Sequence, residues 1–539
     1  MSFIEYGNKL RGLLHDLRAA RGLSRREVFR AGGITMTAGL FSRWPAIAAT
    51  KTRSRTENLY TRIGVRPFIN LTATYTINGG LLTLPRVKQA VEEASHYSVN
   101  IDELMEKVGE RLSRLLGCET AIVTSGCSAA LTLATAACMT GGDPEKIAQL
   151  PSLARLKSEV IMPVQSRTVY DHSIRAVGAR IINVDTREQL DAALSDQTAM
   201  IAVLGEEEGR IRAAMRLEEV SEAARKIGVT ILVDAAAGWP SVPNPYLTRG
   251  ADLVAYSGGK LLHGPQCAGI LLGRKDLVRA AWANSAPHDG FGRGMKVGKE
   301  EIMGLLAAVE ALMQDRDYEE EKRAFESWLS YIGQKLSQLS GVHAKLLPQS
   351  GANPFQVLEV EWDPRKIDLT ASKLHSLLLD GEPRIMSHAA GDGHSFIIRA
   401  QAMKPGDQKV VADRLNQIFK DALSKGDKTS LAPAGLNVAG RWDVDVQYPV
   451  GAARHTFVLE MAGNRLTGLH SARFSKGQLS GIIDGNRIQI QSVLAADGFR
   501  LSCAFDGHIV EDRMVGEVDL ADASFARYGR AGWTAVRQS

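Results

Sequence analysis

Seven short apolar runs recur between residues 121 and 272 of this 539-residue chain. They are Ala121–Thr124, Val160–Val164, Arg180–Val184, Met200–Leu204, Thr230–Val233, Leu253–Tyr256 and Ala268–Leu272. Helical stretches such as Leu217–Lys226 separate them. Apolar strands that alternate with helices predict a mostly parallel sheet covered on both faces. In open sheets of this kind, ligands bind at the carboxyl ends of the strands. The residues that follow the runs are therefore the first place to look for chemistry.

Three of these places stand out. Between the last two runs lies Ser257-Gly-Gly-Lys260-Leu-Leu-His-Gly-Pro-Gln266. Burying an ammonium is costly, so a lysine flanked by apolar strands is an unusual placement. An amine that stays neutral there escapes the cost and becomes a nucleophile. Such an amine condenses with an aldehyde, of which pyridoxal phosphate is the usual biological example. Gly258 and Gly259 admit a close-lying cofactor. Ser257 offers a hydroxyl to a phosphate oxygen. The loop alone also fits a surface hairpin with a solvated lysine. The second place is Asp234, at the end of Val229-Thr-Ile-Leu-Val-Asp234. A carboxylate there pairs with a protonated pyridine nitrogen, or caps a helix. Gly238 and Pro240 follow closely and weaken the cap reading. The third is Ser125-Gly126-Cys127-Ser128, a turn that opens an Ala-rich helix. Free N–H groups and the helix dipole make such a turn a phosphate cradle.

Cradle, carboxylate and Ser-x-x-Lys, in that order and widely spaced, are a specific combination. With Ile69–Gly80, Thr124–Ala130, Val233–Ala235, Ser257–Gln266 and Gly294–Lys299, the chain resembles the fold-type-I pyridoxal-phosphate enzymes. Within them it is similar to the branch of bacterial selenocysteine synthase and the D-glucosaminate-6-phosphate ammonia lyases. The resemblance covers roughly residues 57–425, and Ser-Gly-Gly-Lys…Gly-Pro-Gln is its most specific part. It implies a cofactor, pyridoxal 5'-phosphate, held by Lys260 as a Schiff base. Asp234 would face the pyridine nitrogen, and Ser125, Gly126, Cys127, Ser128 and Ser257 would hold the phosphate. His172, in Tyr170-Asp-His-Ser173, would stack on the ring. The resemblance also implies at least a homodimer, with Asn70–Gly80 and Gly292–Lys299 reaching across. Arg384 and Arg399 are candidates for a substrate carboxylate, since arginine binds carboxylates bidentately; a surface ion pair is the competing role for each.

The ends of the chain differ from that branch. Residues 1–49 carry Ser24-Arg25-Arg26-Glu-Val-Phe-Arg30, an apolar run Ala31–Phe41 and Ala46-Ile-Ala48. This order is that of a twin-arginine export signal with a small-residue cleavage site, and it predicts a periplasmic protein. The segment holds eight Lys/Arg and three Asp/Glu, a net +5 that equals the whole chain's +5. The remainder is thus near neutral, and phosphate neutralisation dominates nucleic-acid affinity. No nucleic-acid partner is expected, and with it the tRNA-linked reaction is set aside. No membrane anchor is expected either, since no run of about 18 apolar residues occurs. The five cysteines are scattered without a C-x-x-C, so no metal site or disulfide framework is implied.

A long helix, Glu300–Leu339, is predicted to join the large domain (57–300) to a small α+β domain ending near 425. Residues 426–436 read as a linker. Beyond it, eight short strands with hairpin turns at Gly463-Asn464, Asp484-Asn486 and Asp506-Gly507 predict a small all-β barrel or curled sheet. Its expected role is structural. The fold class is therefore α/β of fold type I with a C-terminal barrel-like domain. The expected activity is α,β-elimination on a small amino acid or amino sugar acid. Racemisation or group transfer on the same scaffold is the alternative, and a cofactor-free binding protein the more distant one.

Overall fold

The computed structural model describes residues 57–205, 215–348, 354–388, 393–424, 431–496, 498–522 and 527–538. The export motif and the Glu206–Arg210 run lie outside them. The described residues 57–65 belong to a unit of their own, in which Asn58 and Thr61 form a capping box for the helix Leu59–Arg62.

After the short strand β1 (Ile69–Asn70), a seven-stranded sheet is built from consecutive chain segments. They are β2 (Thr120–Thr124), β3 (Glu159–Pro163), β4 (Arg180–Val184), β5 (Thr198–Leu204), β6 (Thr230–Asp234), β7 (Leu253–Ser257) and β8 (Gly269–Gly273). Their order is β2-β8-β7-β6-β5-β3-β4. All run parallel except β8, which is antiparallel to both neighbours. Apart from the edge strand β4, which is largely exposed or half-buried, the strands are buried nearly throughout, as continuous apolar runs demand. The helix Cys127–Thr140 is buried almost all round, and its Ala, Thr and Leu side chains are small enough for close approach.

The small lobe has its own core around β9 (Val342–Leu347), β10 (Val357–Trp362) and β12 (Ser395–Ile398), an antiparallel sheet in the order β12-β10-β9. β11 (Ile385–Met386) pairs in parallel with β1, so the segment before the large domain is stitched to the small lobe. The predicted single linking helix is two helices, Lys299–Gln314 and Tyr318–Leu336. They break because Asp317 caps the second through Glu320 N, while the buried Arg316 guanidinium turns away to Glu321 and the Leu261 carbonyl.

The C-terminal strands β13 (Gly440–Gln447), β14 (Ala452–Ala462), β15 (Arg465–Ser471), β16 (Lys476–Asp484), β17 (Arg487–Ala496), β18 (Phe499–Val510), β19 (Arg513–Asp522) and β20 (Arg527–Arg537) form a closed barrel. Each pairs antiparallel with the next, and β13 closes on β20. Alternate residues point inward: on β18 these are Cys503, Phe505, Gly507 and Ile509. Turns fall at Gly463-Asn464 and Gly485-Asn486, as read from the sequence. Asp506-Gly507 is a correction, for it lies inside β18, opposite Glu517 and Gly516. Its glycine is there because a Cβ at 507 would come within 2.9 Å of the Trp533 indole. The real turn follows at Glu511, in the left-handed region with φ 54°.

Candidate active site

The sheet register brings three strand ends to one level. Thr124 on β2 faces Gly269 on β8, Gly269 faces Ser257 on β7, and Asp234 on β6 faces Ala255 on β7. The turn after β2 therefore opens beside Ser257 and Asp234. Gly126 sits at φ 96°, with its N–H bonded to the Thr124 carbonyl, and turns the chain into the helix Cys127–Thr140. A Cβ on Gly269 would lie 2.5 Å from Gly126 C and 2.6 Å from Cys127 N. Glycine at 269 is what lets the cradle rest flat on β8.

The lysine loop is held from both sides. Leu261 is buried in the small-lobe core and Leu262 in the large-lobe core, so Lys260 stands where the two cores meet. The His263 amide donates to the Lys260 carbonyl at 2.9 Å, and Arg316 donates to the Leu261 carbonyl at 2.8 Å. Gln266 wedges between Gly80 and Gly259, where any Cβ would clash with its side chain. The loop is fixed by backbone contacts, which leaves the Lys260 amine to the cleft.

That cleft has a volume of about 140 Å³ and is lined by Thr76, Gly126–Ser128, Tyr170, Asp234, Ser257, Lys260 and Gln266, among others. Asp234 is its buried carboxylate. Burial pushes its pKa up, against the Ala236 N–H, the Lys260 charge and the Cys127 thiol, which favour the ionised form. The Ala236 N–H donates to Asp234 Oδ1 at 3.0 Å and Cys127 Sγ approaches the same oxygen at 3.6 Å. Ser128 Oγ is 2.5 Å from Ser173 Oγ, tying the cradle to the next segment. The Lys260 ammonium lies 6.0 Å from the centre of the Tyr170 ring.

Most of the residues read from the sequence converge here: Lys260, Asp234, Ser257, Gly126, Cys127 and Ser128 all line the cleft. Ser125 lies in the turn but is not among the lining side chains. Two assignments are corrected. His172 faces solvent, with Nδ1 3.0 Å from Arg175 Nη2, and Tyr170 is the aromatic that lines the cleft. Arg384 serves as a staple: Nε donates to the Leu379 carbonyl at 3.0 Å, Nη1 to the Arg66 carbonyl at 3.1 Å, and the guanidinium lies over Phe68. Arg399 is half-buried on the small-lobe side, its backbone N–H bonded to the Leu71 carbonyl. Near it is His388, whose pKa falls to about 4 through burial and then the Arg399 charge. The His388 ring meets Tyr75 edge-on at 4.6 Å, next to the cleft residue Thr76. Tyr75 and Thr76 belong to the Asn70–Gly80 segment expected to reach toward a neighbouring subunit, and Thr76 lines the cleft of its own chain; His388 was not singled out from the sequence, because only the fold of the small lobe brings it beside Tyr75.

The groups present suit a phosphorylated pyridine aldehyde. An amine, a buried carboxylate and a helix N-terminus flanked by two serine hydroxyls surround one cleft, and Gly269 keeps the cradle open. A seven-stranded sheet of this order with such a site defines a fold-type-I pyridoxal-phosphate enzyme. Comparison with known proteins places it further. Residues 85–288 match the family Aminotransferase class-V. It is 28% identical over 382 residues to D-glucosaminate-6-phosphate ammonia lyase of Salmonella typhimurium, across 68% of this chain and 99% of that protein. It is 26% identical over 424 residues to L-seryl-tRNA(Sec) selenium transferase of Moorella thermoacetica, across 69% of this chain and 86% of that one. A solved structure of D-glucosaminate-6-phosphate ammonia-lyase superposes with a TM-score of 0.61 at 28% identity, covering 68% of this chain and all of the other.

Proposed function

We propose that this enzyme is a lyase that removes a β-substituent from a small amino acid or amino sugar acid. The observation that carries the reading is the placement of Lys260 and the buried Asp234 on one cleft at the strand ends. The similarity to an ammonia lyase supports elimination over other reactions of the scaffold. Pyridoxal 5'-phosphate, when bound, supplies an electron sink for the bond breaking at the substrate α-carbon. Lys260 and Asp234 would hold it at its two reactive ends, and Gly126–Ser128 with Ser257 would hold its phosphate.

The chain's own groups then have separate tasks. Asp234 would set a negative charge against the ring nitrogen, and the Ala236 N–H helps hold that charge in a site that otherwise disfavours it. Lys260 Nζ takes the proton from the substrate α-carbon and returns it to the departing group. Tyr170 faces Lys260 across the cleft, with its ring centre 6.0 Å from the amine. Arg399, whose charge acts on His388, is the cation we assign to a substrate carboxylate. We place the working enzyme in the periplasm as a dimer, on the strength of the twin-arginine motif and the apolar surface around Tyr97–Val99.

The test is product analysis. Mature protein supplied with pyridoxal phosphate is offered D- and L-amino acids and amino sugar acids. Keto acid and ammonia are expected from at least one. Formation of the opposite enantiomer alone would replace elimination by racemisation. Activity that survives in Lys260→Ala would remove the lysine from the mechanism.

A further inference from the structure

The barrel touches the catalytic lobes at a telling point. The turn between β17 and β18 carries Gly498 at φ +79°. A Cβ there would lie 2.4 Å from the Thr168 carbonyl oxygen, 2.7 Å from Thr168 C and 2.9 Å from Thr168 N. Gly498 therefore lies flat on the Thr168 peptide, at a distance only glycine allows. At the opposite end of the barrel the linker is tied to the hairpin turns. Ala432 in the preceding linker receives bonds from Asn464 Nδ2 and Gly485 N and donates its own N–H to Asp484.

Thr168 opens the segment that shapes one wall of the cleft. Its hydroxyl accepts the Tyr170 N–H at 3.2 Å, and its carbonyl accepts the Asp171 N–H at 3.1 Å. Asp171 Oδ1 accepts the Thr168 N–H in return, and the buried Asp171 carboxylate is paired with Arg167. Two residues on, Ser173 meets the cradle residue Ser128. A displacement of the Thr168 peptide is thus passed to Tyr170, opposite Lys260, and to the cradle through Ser173.

We propose that the β17–β18 turn is a positioning element of the active site, in which Gly498, seated on the Thr168 peptide, holds Tyr170 and Ser173 in register with Lys260 and the phosphate cradle. The barrel is then part of the catalytic apparatus and not a passive appendage. The inference rests on the pyridoxal-phosphate reading of the cleft for its functional meaning, and on Gly498 and Thr168 alone for its geometry.

The experiment compares hairpin glycines in the full chain. Gly463, at φ +59°, has nothing within 4 Å of its missing Cβ. Gly463→Ala and Gly498→Ala therefore impose the same kind of backbone strain on the barrel, and only the second meets the catalytic lobe. Gly498→Asn adds the same Cβ with less strain, since asparagine tolerates positive φ. In cofactor-free protein, both Gly498 variants are expected to raise hydrogen exchange of the amides of residues 170–176 by about tenfold. Pyridoxal-phosphate affinity, read by titration, is expected to fall by about tenfold as well. Gly463→Ala should leave both at wild-type values. Gly498 variants indistinguishable from Gly463→Ala in both readouts would overturn the proposal. A wild-type chain that binds no pyridoxal phosphate would sink the functional reading instead, while the exchange comparison still decides the contact.

Discussion

At the scale of single residues, the site depends on a carboxylate kept where burial disfavours its charge. Asp234 stays ionised at neutral pH only if its partners outweigh desolvation, and a cationic pyridine nitrogen would be the strongest of them. Asp234→Asn removes that charge and keeps the shape. Cofactor binding through the phosphate should persist, and turnover should drop by about two orders of magnitude or more. A near-normal rate would mean that another group serves the ring nitrogen. The two aromatic neighbours give a sharper contrast. His172→Ala should leave kcat/KM within about twofold, because an exposed side chain away from the cleft contributes little. Tyr170→Ala should weaken cofactor binding markedly, and equal effects of the two would contradict the geometry. Lys260 and Asp234 were legible in the sequence because Asp234 directly follows an apolar run and Lys260 sits in the loop between two of them, and strand ends are where such sheets bind. The choice between Tyr170 and His172 was not legible. It depends on the phase of the helix Asp171–Arg175, which is set by the buried Arg167–Asp171 pair and by the Ser173–Ser128 contact.

At the scale of elements, the barrel was foreseen as a set of short alternating strands, since period two is visible without tertiary contacts. What it encloses was not. His455 on β14 and His470 on β15 are buried, with Nδ1 of the first 2.8 Å from Nε2 of the second. His470 Nδ1 is 2.7 Å from Ser492 Oγ on β17. Phe457 and Phe505 flank the chain of bonds. Burial lowers the pKa of His455, and burial followed by the His455 charge takes His470 down to about 3. Both fold as neutral rings, whereas an unfolded histidine titrates near pH 6.5. The unfolded chain therefore binds more protons in acid, so this stability is complete above about pH 6.5 and declines as the pH falls. Each excluded proton costs about 1.4 kcal/mol per pH unit, or about 2 kcal/mol between pH 6.5 and pH 5. Urea unfolding followed by exchange of β14 and β15 amides should show this loss. His470→Gln keeps a polar link that does not titrate, and its profile should be flatter; an unchanged slope would rule out the pair as the source.

At the scale of the whole molecule, two expectations concern where and in what company the enzyme works. If residues 1–49 are an export leader, changing Arg25-Arg26 to Lys-Lys should hold the protein in the cytoplasm, and the folded protein should still bind pyridoxal phosphate. Native protein that retains Met1 or Ser2 in the cytosol would defeat that reading. The second expectation is assembly. Ile77, Leu82, Tyr97 and Val99 are 54%, 53%, 65% and 48% exposed, more apolar surface than these short segments would leave in water without a partner. Val99 shares a surface hollow with Arg293, Lys296, Val297 and Lys299, so the apolar segment and the basic loop lie on one face. Thr76, beside Ile77, lines the cleft, which brings that surface to the edge of the site. A second copy docked there would bury the apolar side chains and bring a basic loop toward its neighbour's cleft. Light scattering should then report at least a dimer. Lys260→Ala and Lys296→Ala should each be impaired alone. If one site draws Lys260 from one subunit and Lys296 from the other, a mixed dimer holds one site with both lysines intact. Random mixing after dissociation should therefore recover about a quarter of wild-type activity. A fully active monomer, or mixtures no better than the average of their parents, would show that each subunit completes its own site.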